Sequence, residues 1–154
     1  METPLRRIRS IADYQYGLGV GEQLFPDNVQ IEYSHNTGRI RYIILKGERI
    51  ATLRPTDGML SLSIAAARIL TKNCPNAQCF VTVKQDISKF VAEGGDVFAA
   101  HVTKVNPEIH AKDEVIVLDE TGQVVAVGRA FLSAAEMLAF KTGVAVKVRH
   151  GREN

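Results

Sequence analysis

The sequence predicts an α+β fold in two parts, an N-terminal α-β-β-β-α unit followed by a small barrel-like β domain. Three observations predict it. Apolar residues recur every three or four positions near the start of the chain and again after residue 59. Between those stretches the apolar period changes to two. Beyond residue 76, runs of β-branched residues are broken by Gly, Pro and an Asp-Glu-Thr-Gly turn, as in small closed β architectures.

Thr3-Pro4 reads as a helix start, with Thr3 as N-cap and Pro4 at the first helical position. Leu5, Ile8, Ile11 and Ala12 then make one apolar stripe, and Arg6, Arg7 and Arg9 project from the other faces. Gly17, Gly19 and Gly21 end the helix and read as a flexible passage to Leu24-Phe25-Pro26. Val29, Ile31 and Tyr33 alternate with polar residues as in a half-buried strand. The turn His35-Asn36-Thr37-Gly38 leads to a second strand, Ile40 to Leu45, and Lys46-Gly47-Glu48 to a third, Arg49 to Leu53. Arg54-Pro55-Thr56-Asp57-Gly58 closes that meander, and Met59 to Leu70 reads as a helix with Leu60, Ile64, Ala67 and Leu70 inward. Asn73-Cys74-Pro75-Asn76 marks the boundary, which gives domains 1–75 and 76–154.

The second domain opens with a strand from Cys79 to Val83. Asp86 or Ser88 can cap a short helix that carries Ile87, Phe90 and Val91 on its buried side. Gly94-Gly95 ends it as a left-handed C-cap. Strand-like runs follow at 97–105, 114–119 and 124–130, then a helix from Ser133 or Ala134 through Phe140, and a last strand, Val144 to Val148.

Composition bounds the function more loosely. The 154 residues allow two small domains that fold without metal or disulfide staples. At 45% hydrophobic and 23% charged they are ordinary globular sequence. No apolar run reaches the roughly 18 residues of a membrane span, and nothing apolar backs Arg6 and Arg7 as in a secretory signal. The expected compartment is the cytoplasm, with no membrane contact. The net charge of +2 does not by itself point to nucleic acid, but 141–152 holds Lys141, Lys147, Arg149 and Arg152 with no acid, a local basic edge.

Catalytic and metal motifs are missing from the sequence. Cys74 and Cys79 have no histidine beside them and read as idle thiols, oxidised only in a cell that oxidises its cytosolic proteins. His35, His101, His110 and His150 are scattered, with no H-E-x-x-H or i,i+4 pair. Gly17-x-Gly19-x-Gly21 lacks the preceding strand and the Lys-Ser/Thr of a phosphate loop. Accordingly no catalytic residue, metal or cofactor is expected.

Five motifs in order carry a family resemblance. Gly94-Gly95-Asp96-Val97-Phe98-Ala99, Asp113-Glu114-Val115-Ile116-Val117, Ala126-Val127-Gly128-Arg129-Ala130, the helix at Ala134-Ala135-Glu136-Met137, and Lys147-Val148-Arg149-His150 together resemble a PUA domain over about residues 77–152. PUA domains are RNA-binding modules of pseudouridine synthases and archaeosine transglycosylases. The first half also has a counterpart. Asp13-Tyr14-Gln15-Tyr16-Gly17, Leu24-Phe25-Pro26, Thr37-Gly38-Arg39-Ile40-Arg41 and Thr52-Leu53-Arg54-Pro55-Thr56-Asp57-Gly58 resemble the domain just before PUA in archaeal archaeosine tRNA-guanine transglycosylases. A catalytic barrel of about 250 residues does not fit within 154.

The resemblance implies a PUA-type β pseudobarrel that binds RNA, with tRNA or another structured RNA as partner and a tRNA-modifying enzyme as a further one. It implies an RNA surface made of the first helix, its glycine loop and the last strand. The candidate residues are Lys89, Gly94, Gly95, Asp96, Phe98, Arg129, Lys147, Arg149 and His150. Missing side chains at Gly94 and Gly95 let a backbone approach main-chain amides. Phe98 is a base-stacking candidate, while Phe90 falls on the apolar side of its helix and reads as core. Arg129 lies within an apolar strand and must reach solvent or an anion. One departure stands out: where the family carries Gly-Asp before Glu-Val, this chain has Lys112-Asp113. Two rival readings remain, an RNA-modifying enzyme with its site around Arg54, Thr56 and Asp57, and a protein-interaction module.

Overall fold

The computed structural model of the protein describes residues 2–154; Met1, which the first domain read from sequence includes, lies outside the described residues. The chain forms two compact units, Met1–Ala77 and Gln78–Asn154.

In the first unit, helix α1 (Pro4–Tyr16) starts as its sequence dictates, with the Thr3 hydroxyl accepting from the Arg6 N–H and Pro4 in the first turn. Ile8, Ala12 and Tyr16 are its buried stripe. The glycines that follow do not make a flexible passage. They admit a second helix, α2 (Val20–Leu24), laid against α1. A Cβ at Gly21 would strike the Arg9 backbone, so only glycine allows this approach, and the Asp13 carboxylate accepts from the Gly21 N–H at 2.7 Å.

The sheet has one strand more than the sequence predicts. Strands β1 (Gln30–Tyr33), β2 (Ile40–Leu45) and β3 (Glu48–Leu53) form the expected antiparallel meander. Strand β4 (Leu60–Leu62) then pairs with β3, and helix α3 (Ile64–Asn73) begins only after it. Leu60 and Leu62 are both buried, a period-two pattern that the helical reading from Met59 absorbed. Ser63 sets the true start, its hydroxyl accepting from the Ala66 N–H. Asp57 occupies the β3–β4 turn, where its carboxylate takes the Met59 N–H and the Arg54 guanidinium at 2.8 Å.

The second unit is a nearly closed six-stranded pseudobarrel with strand order β6-β10-β9-β8-β5-β7. Strand β5 (Phe80–Val83) is followed by a 3-10 turn (Gln85–Ile87) and helix α4 (Ser88–Ala92). Next come β6 (Val97–Phe98), a second 3-10 turn (Ala99–His101) and β7 (Val102–Val105). Strands β8 (Glu114–Leu118) and β9 (Val124–Ala130), helix α5 (Ala134–Ala139) and β10 (Val144–Gly151) complete it. All pairings are antiparallel except β5 with β8. Valines of β5, β8, β9 and β10 converge with Val91, Ile109 and Met137 in one core. Helix α5 carries a complete capping box between Ser133 and Glu136.

Lys112 explains the departure at 109–113. It keeps the left-handed conformation, φ 78°, in the place where the resemblance calls for glycine, and its N–H still reaches the Ala130 carbonyl at 2.7 Å. Neither Cys74 nor Cys79 is in a disulfide, and burial together with the Asp13 carboxylate pushes the Cys74 thiol above its ordinary value.

Candidate nucleic-acid interface

The loop after α4 is built by two glycines with different tasks. Gly94 holds the left-handed position, φ 106°. Gly95 does not, which corrects the reading of both as a left-handed cap. Its requirement is space: a Cβ there would run into the ring of Phe90, and its N–H donates to the Phe90 carbonyl at 3.0 Å. Phe90 is not a core residue. It stands 56% exposed with its ring lying on the glycine backbone, while Ile87 and Val91 turn inward. The helix buries Ser88, Val91 and Ala92, and Phe90 falls off that buried side.

Asp96 fastens this loop to β10. One carboxylate oxygen accepts the Val148 N–H at 3.0 Å and the other meets the Lys147 ammonium at 3.3 Å. At the far end of β10, Gly151 passes so close to the Ala92 carbonyl that no side chain would fit, and the Glu153 N–H donates to the same carbonyl. Helix α4 and the loop Gly94-Gly95-Asp96 are thereby fastened to β10 at two points, Lys147-Val148 and Gly151. Lys89, Lys147, Arg149 and His150 are all exposed on these elements.

Arg129 joins them from the next strand, where it is the register partner of Lys147 on one side and of Glu114 on the other. Its Nε donates to the Lys112 carbonyl at 3.1 Å. Arg149 is engaged differently. Its guanidinium reaches both carboxylate oxygens of Glu114, a side chain only 4% exposed, so most of its charge is offset within the protein. A β-bulge between Val148 and His150 lets consecutive exposed residues, Arg149 and His150, follow buried Val148.

Phe98 lies two residues after Asp96 on β6, where it is 40% exposed and pairs with Val144, and its ring stands near-perpendicular to that of His101 with centroids 6.2 Å apart. Sequence reasoning missed Phe90, and the signal that could have found it is the pair of glycines four and five residues later. Among the described residues no group of three His, Cys, Asp or Glu side chains is placed to hold a metal ion, and no helix is long and apolar enough to cross a membrane.

Comparison with known proteins agrees with both halves of this architecture. Residues 6–76 match the family model described as patch-forming domain C2 of tRNA-guanine transglycosylase, and residues 80–152 match the PUA domain. The chain is 41% identical over 147 residues to a tRNA-guanine(15) transglycosylase of Methanothermobacter thermautotrophicus, covering 96% of this chain and 22% of that enzyme. The Pyrococcus furiosus enzyme is 38% identical over 152 residues, covering 99% and 26%. The chain thus spans about a quarter of the length of these relatives. Among solved structures, a hypothetical protein of Pyrococcus horikoshii superposes with a TM-score of 0.78 at 20% identity, over 97% of this chain and 90% of that one. A conserved PUA domain protein of Thermoplasma acidophilum gives 0.68 at 20% identity, over 97% and 88%, and shares the fold.

Proposed function

The chain is a patch-forming C2 domain of the tRNA-guanine transglycosylase type followed by a PUA domain, and from that premise we propose that it binds structured RNA, tRNA foremost, in RNA modification in the cytoplasm, without catalysis of its own. The observation that carries this reading is the surface made by α4, the glycine loop and β10. It combines cations at Lys89 and Lys147 with an exposed aromatic ring at Phe90 that lies on the Gly95 backbone. Phosphates are held by cations and main-chain N–H groups, while an exposed ring accepts an unstacked base. Asp96 offsets part of the Lys147 charge, and incoming phosphate competes with it for that ammonium. Arg129 adds a cation one strand away, and His150 borders the surface. A tRNA-modifying enzyme acting on the bound RNA is the protein partner this reading implies.

The rival enzyme reading loses support at Asp57. Its carboxylate is held by Arg54 and the Met59 N–H in a turn, which accounts for the residue without chemistry.

The test is tRNA affinity as a function of salt, with the purified full chain. Lys89→Ala and Lys147→Ala should each lower the log–log slope by about 0.7–0.9. An affinity independent of salt, or two neutral variants, would remove the phosphate surface from the proposal. Turnover of RNA by the purified chain, lost in Asp57→Asn with an unchanged melting temperature, would favour the enzyme instead.

A further inference from the structure

Helix α5 is apolar on both of its sides. Ala134 and Met137 are buried in the core of the pseudobarrel, which accounts for one side. Ala135, Leu138 and Ala139, spaced three and four residues apart, share the opposite side, and all three are exposed. The one polar side chain of the helix, Glu136, is engaged in the capping box with Ser133. Large apolar residues also stand where the chain enters and leaves: Phe131 is 53% exposed, Leu138 60% and Phe140 45%. A helix that is hydrophobic all round belongs in an interior. The outer face of α5 meets solvent instead.

Two features of this face suit a second copy of itself. The first is shape. Leu138 shares the face with two alanines four residues apart, one projecting side chain beside two shallow positions. When two such helices pair antiparallel about a two-fold axis, the Leu138 of each copy lies over Ala135 and Ala139 of the other. The second feature is charge. Lys141 follows Phe140 at the C-terminal end of the helix. At the N-terminal end the Ala134 N–H donates to the Ile109 carbonyl at 3.0 Å, so exposed Glu108, next to Ile109, belongs to that end. His110, on the other side of Ile109, already faces Asp113. Among the described residues neither Lys141 nor Glu108 is in an ion pair. Antiparallel pairing sets the lysine end of each helix against the glutamate end of the other, and symmetry provides that contact twice.

The exposed parts of Phe131, Leu138 and Phe140 amount to roughly 300 Å2 of apolar surface. A standard interface takes about 800 Å2 per partner, with about 60% of it apolar. The face therefore fits a weak dimer at the small end of that range.

We propose that the outer face of α5, with Phe131, Leu138, Phe140, Lys141 and Glu108, is a homodimer interface through which two copies of the chain pair by antiparallel α5 helices. The inference goes beyond RNA binding and uses none of the residues of the surface at α4 and β10.

The experiment is sedimentation velocity on the purified full chain without RNA, from micromolar to several hundred micromolar protein, with melting temperatures measured in parallel. The unaltered chain should pass from monomer to dimer across that range. Leu138→Glu, at an exposed helical position, should keep the melting temperature of the dilute monomer and raise the dimer dissociation constant about tenfold or more. Lys141→Glu should weaken the dimer, and adding Glu108→Lys should restore it, because the swap exchanges the two charges across the axis. A chain that stays monomeric throughout overturns the proposal. A dimer that Leu138→Glu leaves intact also overturns it, since the contact then lies elsewhere. If the chain is monomeric and Leu138→Glu weakens tRNA binding, the face belongs to RNA and the homodimer is again overturned.

Discussion

Arg149 bonds both carboxylate oxygens of Glu114 through one guanidinium nitrogen, at 3.1 and 2.8 Å, and thereby links β10 to β8 across the intervening strand β9. The pairing separates Arg149 from Lys147, its neighbour along the strand. Lys147 is exposed and meets an Asp96 that solvent also reaches, whereas the partner of Arg149 is buried.

Arg149→Ala should therefore act mainly on stability. It leaves the Glu114 carboxylate buried without this guanidinium, at a cost of about 2 kcal/mol. Lys147→Ala should leave stability nearly unchanged and weaken tRNA binding. Thermal melts and binding isotherms on the two variants give this contrast directly. Equal effects of both variants on affinity, with no loss of melting temperature in Arg149→Ala, would show that Arg149 serves RNA after all.

Gly95→Ala should displace the ring of Phe90, since the new methyl occupies the space of that ring. The expected cost is about 1–3 kcal/mol, as for overpacking, with weakened tRNA binding in the protein that remains folded. Phe90→Ala/Gly95→Ala together should recover the stability but not the affinity. Gly122 provides the control: its φ of 87° makes alanine strained, yet nothing surrounds it. Gly122→Ala should cost about 1 kcal/mol and leave binding unchanged.

Lys112→Gly should stabilise the protein by about 1 kcal/mol, because glycine adopts φ 78° without the steric penalty that lysine carries there. Denaturant titration measures the gain. A loss instead would mean that the unfolded-state entropy of glycine outweighs the strain relieved.

Asp119 sets a pH dependence. Burial alone would raise its carboxyl, but hydrogen bonds from the Thr121 hydroxyl, the Gln123 and Thr121 N–H groups and the Gln85 side chain outweigh burial and hold it below 3.8. A carboxyl depressed in the folded state stabilises it above the unfolded value and loses that contribution as pH falls through the folded value. The stability should be fully present above about pH 4 and decline below it. Asp119→Asn should be less stable at neutral pH and show a flatter acid limb in melts taken from pH 7 to pH 2.

The sequence alone determined the local starts and stops and the order of the elements. Thr3-Pro4, Ser133 with Glu136, and the turn at Asp119 act through bonds within four residues, which spacing makes legible. The five motifs of the second half all fall within the residues that match the PUA domain. Tertiary structure decided whatever depended on a partner distant in the chain. Leu60 and Leu62 form a strand because β3 offers an edge, overriding a helical pattern shared with residues 64–70. Gly21 and Gly95 are glycines because Arg9 and Phe90 press against them, not because a turn needs them. Phe90 is exposed and Arg149 is neutralised by Glu114 for the same reason. Each depends on packing and on the dielectric and charge at a point in space, and a linear pattern of residues does not carry those quantities.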